Sequence, residues 1–322
     1  MSVTTAPAES SPVPERPRSG VRRRPVSGWF YRHPRLRVAL LLVPPLLWLG
    51  VVYLGSLLAL LVQSFYAVDD FTGQVDESFT LQTWERLLTR ANFDVMFRTA
   101  GMAAAVTVAS AIIAFPLAYF MARVARNRTK TWLFVAILLP LWSSYLVRVY
   151  AWKLILAKEG VFTWFVDRLG LNFALDWVLD LPTIGGPSLS VSLFGQWIVF
   201  VYIWLPYMIL PIEAALERVP ASVVEASGDL GARNPTTLRR IIWPLAIPGV
   251  IAGSIFTFSL TLGDYIIPTI IGDSSPSIGA SIYIQQGTAG NLPLAAAWSV
   301  VPMVIMAVYL MLARRLGAFE AL

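Results

Sequence analysis

Three charged side chains interrupt stretches of this sequence that are otherwise apolar. Asp264 stands in Ser259-Leu-Thr-Leu-Gly263-Asp264-Tyr265-Ile-Ile-Pro268, while Arg148 and Lys153 stand in the run opened by Leu139-Pro140-Leu-Trp142-Ser-Ser-Tyr145. A charge inside a lipid-soluble stretch is costly, so it marks a place that holds an ion, a solute or an opposite charge. Asp264 with Tyr265, Trp142 and Tyr145 offers a carboxylate and aromatic faces, the groups that hold an organic ammonium. Two readings of Asp264 stand side by side: contact with a transported solute, or structural pairing with Arg148, since both lie in the outer half of their helices by helix rise. Arg148 is read as a structural charge that pairs or bonds to backbone, and it opposes a cation path unless another carboxylate neutralises it. Lys153 sits near the end of its run, where its stem reaches the interface. Aromatic residues in such runs also serve packing and interface belts.

Much other chemistry is excluded. There is no cysteine and the only histidine is His33, which removes disulfides, thiolate catalysis and histidine metal sites, so no metal centre is expected. No Gly-x-x-x-x-Gly-Lys-Ser/Thr phosphate loop, His-Glu-x-x-His or Gly-x-Ser-x-Gly elbow occurs, and no carboxylate pair is placed for acid–base work. The chain is expected to bind no cofactor and to be no enzyme; any nucleotide that drives it must be held by another chain.

The second feature is a polar island, Val219 to Gly249, between two apolar halves. Pro220 suits a first helical turn and Gly231 a left-handed stop, which predicts a short helix from Ala221 to Leu230. Asn234 followed by Pro235 predicts a capped start of a second helix. Along the first helix Ala221, Ala226, Ser227 and Gly228 are small enough for another backbone to approach, with Glu225 and Asp229 one turn apart on an edge.

The elements that must carry these residues are membrane spans. The composition is 57% hydrophobic and the mean hydropathy +0.65, well beyond soluble proteins. Six runs are long enough to cross a bilayer: Val38 to Val62, Phe97 to Ala122, Thr131 to Leu156, Leu189 to Ile212, Leu245 to Ile271 and Pro293 to Ala313. Pro116, Pro140, Pro206, Pro248, Pro268 and Pro302 interrupt them and free backbone groups that must face other helices or a watery path. The net charge of +6 belongs to residues 1 to 37, where eight arginines stand against Glu9 and Glu15; the remainder is neutral. Nucleic-acid binding therefore does not follow from the basic pI; the arm reads first as an orientation signal, with contact to anionic lipid of the bilayer as the second reading. Residues 1–37 are expected to be a disordered basic arm, 38–313 a six-helix membrane domain with its polar loop at 219–244, and 314–322 a short tail. Arg123, Arg126, Arg128 and Lys130 fall on the same side as the arm, the polar island and Arg314, while acids dominate the other side. Both termini are thus expected in the cytoplasm. On the other side, a short helix near Leu81 to Leu88 with Thr80 as its cap, and an amphipathic segment carrying Trp164 and Trp177, are expected.

The polar island resembles the cytoplasmic EAA loop of ABC-importer permeases, whose pattern is Glu-Ala-Ala, three residues, Gly, nine residues, Ile-x-Leu-Pro. Glu225, Ala226, Ser227, Gly231, Ile241, Trp243 and Pro244 stand at that spacing, Ser227 and Trp243 replacing an alanine and a leucine. The resemblance implies that Glu225, Ala226, Ser227, Gly231, Ala232, Ile241 and Pro244 shape a coupling loop that docks on a separate ATPase. Leu139 to Trp152 and Ser259 to Gly272 are similar to the first permease subunit of spermidine/putrescine importers, and Ala114 to Tyr119 to the general permease core. What this implies is an all-α, type I (MetI-like) permease of the bacterial inner membrane. Its implied partners are ABC ATPase subunits that use ATP and Mg, a second homologous permease and an extracytoplasmic substrate-binding protein. The resemblance also implies a small solute, a polyamine such as spermidine or putrescine, as cargo. Two alternatives stand: the same permease role with a different small solute, or a stand-alone secondary transporter or channel, which calls for inverted repeats and ion-site carboxylates, of which Asp264 alone is a candidate.

Overall fold

Apolar side chains all round most of the long runs leave the backbone only one way to satisfy itself in lipid, the helix. A computed structural model describes residues 34–69, 71–273 and 275–315. Residues 1–33 of the arm expected to be disordered and the last seven residues of the tail lie outside these; the arm's last four residues, 34–37, are helical, because the helix that runs into the first span already starts at Pro34. The chain divides into two units, Met1–Leu58 and Ala59–Leu322.

In chain order, α1 is Val38–Gln63, π-helical over Trp48–Leu54. The strands β1 (Ala67–Val68) and β2 (Val75–Asp76) pair antiparallel, a small departure from the expected all-helical fold. Helix α2 covers Gln82–Leu87. Thr80 is not its N-cap residue, which is Leu81, although Thr80 Oγ1 accepts from the Gln82 N–H at 3.2 Å. Then come α3 (Arg90–Val124), α4 (Asn127–Trp142) and α5 (Tyr145–Ile155). The opposite loop carries α6 (Val161–Arg168) and α7 (Asn172–Leu179), with Trp164 and Trp177 both exposed. Helix α8 is Leu193–Glu217, α9 Ala221–Asp229, α10 Asn234–Gly263, α11 Ile266–Ile270, α12 Ile278–Gln286 and α13 Leu292–Arg315.

Among the described residues five helices are long and apolar enough to cross a bilayer, or six if α4 and α5 count as one broken span. Two of the expected spans are corrected by this. The run Thr131 to Leu156 is no straight helix: α4 and α5 meet at 97°. Pro140 tightens the end of α4 into a 3₁₀ turn, Ser143 is extended, and Ser144 is also outside the helical conformation. The run Leu245 to Ile271 likewise stops at Gly263, because Asp264 is extended and α11 begins afresh. At its other end the same helix starts early, at Asn234, so the second helix of the polar island is the first part of α10. Asn234 does not cap it; Arg233 holds the N-cap position and no side chain caps.

Helix α8 is the axis of the bundle. It packs against α3 through Ala114, Ala118, Met208 and Ile209, and against α10 through Ile212, Leu216, Ile242 and Ala246. In lipid such packing is driven by close van der Waals fit, which small residues permit. Gly249-Val-Ile-Ala-Gly253 supplies it: a Cβ at Gly249 would lie 2.6 Å from Ala215 Cβ and 3.0 Å from Ile212 Cα, and one at Gly253 3.0 Å from Met208 Cα. Gly249→Leu is expected to lower stability by about 1–3 kcal/mol, as overpacking does. The thermal unfolding midpoint in detergent measures it, and an unshifted midpoint contradicts this account of the α8–α10 contact.

Candidate functional site

Two places gather the residues singled out by sequence. One is the junction where the broken helices meet. Asp264 follows the last residue of α10, and its Oδ1 accepts from the Ile267 N–H at 2.9 Å, capping α11. Its other oxygen accepts from the Tyr145 hydroxyl, at the start of α5. The carboxylate therefore ties both helix breaks together. Tyr145 stacks on Trp204 of α8 at 5.7 Å between centroids, and the Arg148 guanidinium lies over the Tyr145 ring at 5.9 Å. Val149, Ile203 and Ile267 close the apolar floor behind them.

The pairing of Arg148 with Asp264 is not what the geometry shows. Among the described residues Arg148 forms no ion pair with Asp264, and its Nε and one terminal nitrogen are buried without hydrogen-bond partners. Of the four residues proposed around a solute, Tyr145 and Asp264 touch, and Tyr265 instead stacks on Tyr283 of α12 at 4.7 Å. Trp142 is 85% exposed on the last turn of α4. The tryptophan beside Tyr145 is Trp204, 8% exposed and with its Nε1 unpartnered. It was missed because a tryptophan inside the apolar run of α8 carries no mark that separates it from packing. Nearer the start of α3 and α8, a cavity of about 410 Å³ opens between Met102, Phe194, Trp197, Phe200 and Pro268.

The second place is α9. The backbone turns back after it at Gly231, whose φ of +79° is the left-handed conformation expected there. Ala232 N–H donates to Ser227 O at 3.0 Å, and Gly231 N–H to Gly228 O at 2.8 Å, closing the helix end. Ser227 is buried, and its hydroxyl shares a 2.8 Å hydrogen bond with Thr237 of α10. A serine in place of alanine thus ties α9 to the next helix. Trp243, the other departure from the pattern, meets the Phe115 ring edge-on at 4.8 Å. Glu225 is exposed, as are Ala226 and Pro244, while Ala232 and Ile241 are half-buried. Ala226, Ser227, Ala232 and Ile241 line an open hollow of about 540 Å³ together with Leu230. Leu230 is 89% exposed and went unremarked in the sequence, where it reads only as the end of a helix.

A bundle of kinked and broken helices with a carboxylate at the breaks, and a surface helix of small residues at one end, is the build of a membrane permease. The chain belongs to the family of binding-protein-dependent transport system inner membrane components, which matches residues 114–317 and so includes both places. It is 53% identical over 297 residues to the inner membrane ABC transporter permease protein YdcU of Escherichia coli (strain K12), covering 92% of this chain and 95% of that one. It is 29% identical over 265 residues, 82% of this chain and 92% of the relative, to the spermidine/putrescine transport system permease protein PotB of the same strain. A solved bacterial alginate ABC transporter, in complex with an alginate pentasaccharide-bound periplasmic protein, shares the fold with a TM-score of 0.64. That match has 14% sequence identity and covers 90% of this chain and 97% of that one. The protein is thus a multi-pass inner-membrane permease subunit and not an enzyme.

Tyr145→Phe removes the hydroxyl that Asp264 accepts from. A lost hydrogen bond to a charged group costs about 1.5–3 kcal/mol, so the variant should unfold at lower temperature while Trp204→Phe, which keeps that bond, should shift it less. Equal shifts would contradict the junction as drawn.

Proposed function

We propose that this chain is one permease half of an ATP-driven importer for a polyamine-class organic cation, with both termini in the cytoplasm. The observation that carries the coupling is the α9 surface: small residues and Leu230 left exposed around a hollow beside Glu225. Such an apolar, unpartnered face suits another protein. The occupant proposed is an ABC ATPase subunit, which binds ATP and Mg on behalf of the complex. A second homologous permease would form the other side of the path, and an extracytoplasmic binding protein would deliver the solute. Support for the last two is the family itself, whose members serve binding-protein-dependent transport. ATP acts at a distance only by favouring one conformation, so its binding must favour the outward-facing state through α9.

For the solute, the support is Asp264 at the meeting of two broken helices, where discontinuous helices place binding sites in other transporters. The name of one relative, the spermidine/putrescine permease, points to the same class. Tyr145 and Trp204 add aromatic faces to the carboxylate. Arg148 lies over Tyr145 without pairing Asp264, so it leaves the carboxylate's charge uncancelled by a direct bridge.

In the complex reconstituted with its ATPase, second permease and binding protein, Glu225→Lys should abolish substrate-stimulated ATP hydrolysis; unchanged stimulation refutes the coupling role. Uptake of labelled putrescine and spermidine tests the solute. Asp264→Asn should reduce it about tenfold or more, the worth of one charge-assisted contact, and undiminished uptake would remove Asp264 from the path.

A further inference from the structure

A second cluster of charges lies where α3 turns into α4, and no part of the coupling pattern includes it. The end of α3, Phe120–Val124, is π-helical, and only Ala125 and Arg126 separate it from α4. From this turn the Arg123 guanidinium donates to the carbonyls of Leu216 at 3.0 Å and Val219 at 2.6 Å. The Leu216 carbonyl belongs to the last turn of α8 and the Val219 carbonyl to the elbow just past it, a place where helix carbonyls lack partners within the helix and the helix dipole is negative. Lys130 Nζ lies 2.9 Å from Glu213 Oε1 and also contacts Glu217. The two carboxylates are one helical turn apart on α8, and Glu213 is only 5% exposed. A buried carboxylate of this kind is retained where a cation answers it.

The position of the cluster gives it a mechanical consequence. Helix α9 starts at Ala221, directly after the Arg218–Pro220 elbow whose Val219 carbonyl Arg123 holds. On its far flank α9 is tied to α10 through Ser227 and Thr237. The elbow is therefore not a free hinge: the turn between α3 and α4 is bonded to it.

We propose that Arg123 and Lys130 are positioning residues of the coupling, a clamp that makes α3, α4 and the end of α8 follow α9 as one body when the ATPase moves it. This rests on the reading of α9 as the ATPase-facing surface. A push on α9 then tilts three spans together, where an unclamped elbow would absorb it.

The test uses the reconstituted complex. Lys130→Met and Arg123→Gln should retain basal ATP hydrolysis while its stimulation by loaded binding protein falls about fivefold or more, the lower range of allosteric couplings. The charge exchange K130E/E213K should restore stimulation relative to K130E alone, which a loss of folding would not permit. Because the chain has no cysteine of its own, spin labels at Asn127→Cys and Asp229→Cys, the latter on α9 but outside the hollow, give a direct readout in otherwise native protein. The distance between them should be the same in nucleotide-free and ATP-bound complexes. A distance that changes with nucleotide overturns the clamp, whether or not the charge variants assemble, and so does full stimulation in assembled Lys130→Met and Arg123→Gln. Failure of the importer reading itself appears elsewhere, as stimulation that survives Glu225→Lys.

Discussion

An open N–H or C=O in hydrocarbon has no water to turn to, and this one constraint shapes the protein. A helix can be interrupted at membrane depth only where another group supplies what the interruption removes. At the end of α10 that group is Asp264, which accepts from the Ile267 N–H. At the end of α4 the Ser143 hydroxyl donates to the Pro140 carbonyl at 2.7 Å, and the Ser143 N–H donates to it at 3.2 Å. Each break is repaired locally. The hydroxyl of Tyr145 then joins the two, so the features that make the helices discontinuous also make them one structure.

The same logic runs through the end of the bundle that bears α9. Helix α8 ends with carbonyls that need donors, and Arg123 provides them from a neighbouring helix rather than from solvent. Gly231 takes a left-handed conformation that spares the chain a longer loop, and Ser227 and Thr237 satisfy each other between two helices. What is left exposed and unpartnered around α9 is apolar: Leu230 and the hollow beside it. An exposed apolar surface of this kind suits another protein, as proposed above, and it stands on helices whose ends are held.

Between these two places runs the tight contact of α8 with α10. Gly249 and Gly253 bring the backbones together in a packed seam rather than across loose side chains. Helix α8 lies in the middle of it, touching the junction through Trp204 and the elbow through the Leu216 carbonyl, which accepts from the Val219 N–H. Its two internal prolines, Pro206 and Pro211, fall between those points.

The sequence by itself determined that the chain lives in a membrane, where most spans lie, and that Gly231 ends a short helix, because hydropathy and a left-handed glycine are properties of neighbours along the chain. It also marked Asp264 and Tyr145, since charge and aromatic residues are conspicuous among aliphatic ones. Only the tertiary structure decided what they do. That Asp264 joins Tyr145 and leaves Arg148 aside, that Trp204 and not Trp142 packs beside them, and that Arg123 and Lys130 grip the end of α8 are facts of residues far apart in sequence. The breaks at Ser143 and Asp264 belong to the same class: proline and serine permit them, but whether a helix bends or ends there depends on the partners that the fold brings within hydrogen-bonding reach.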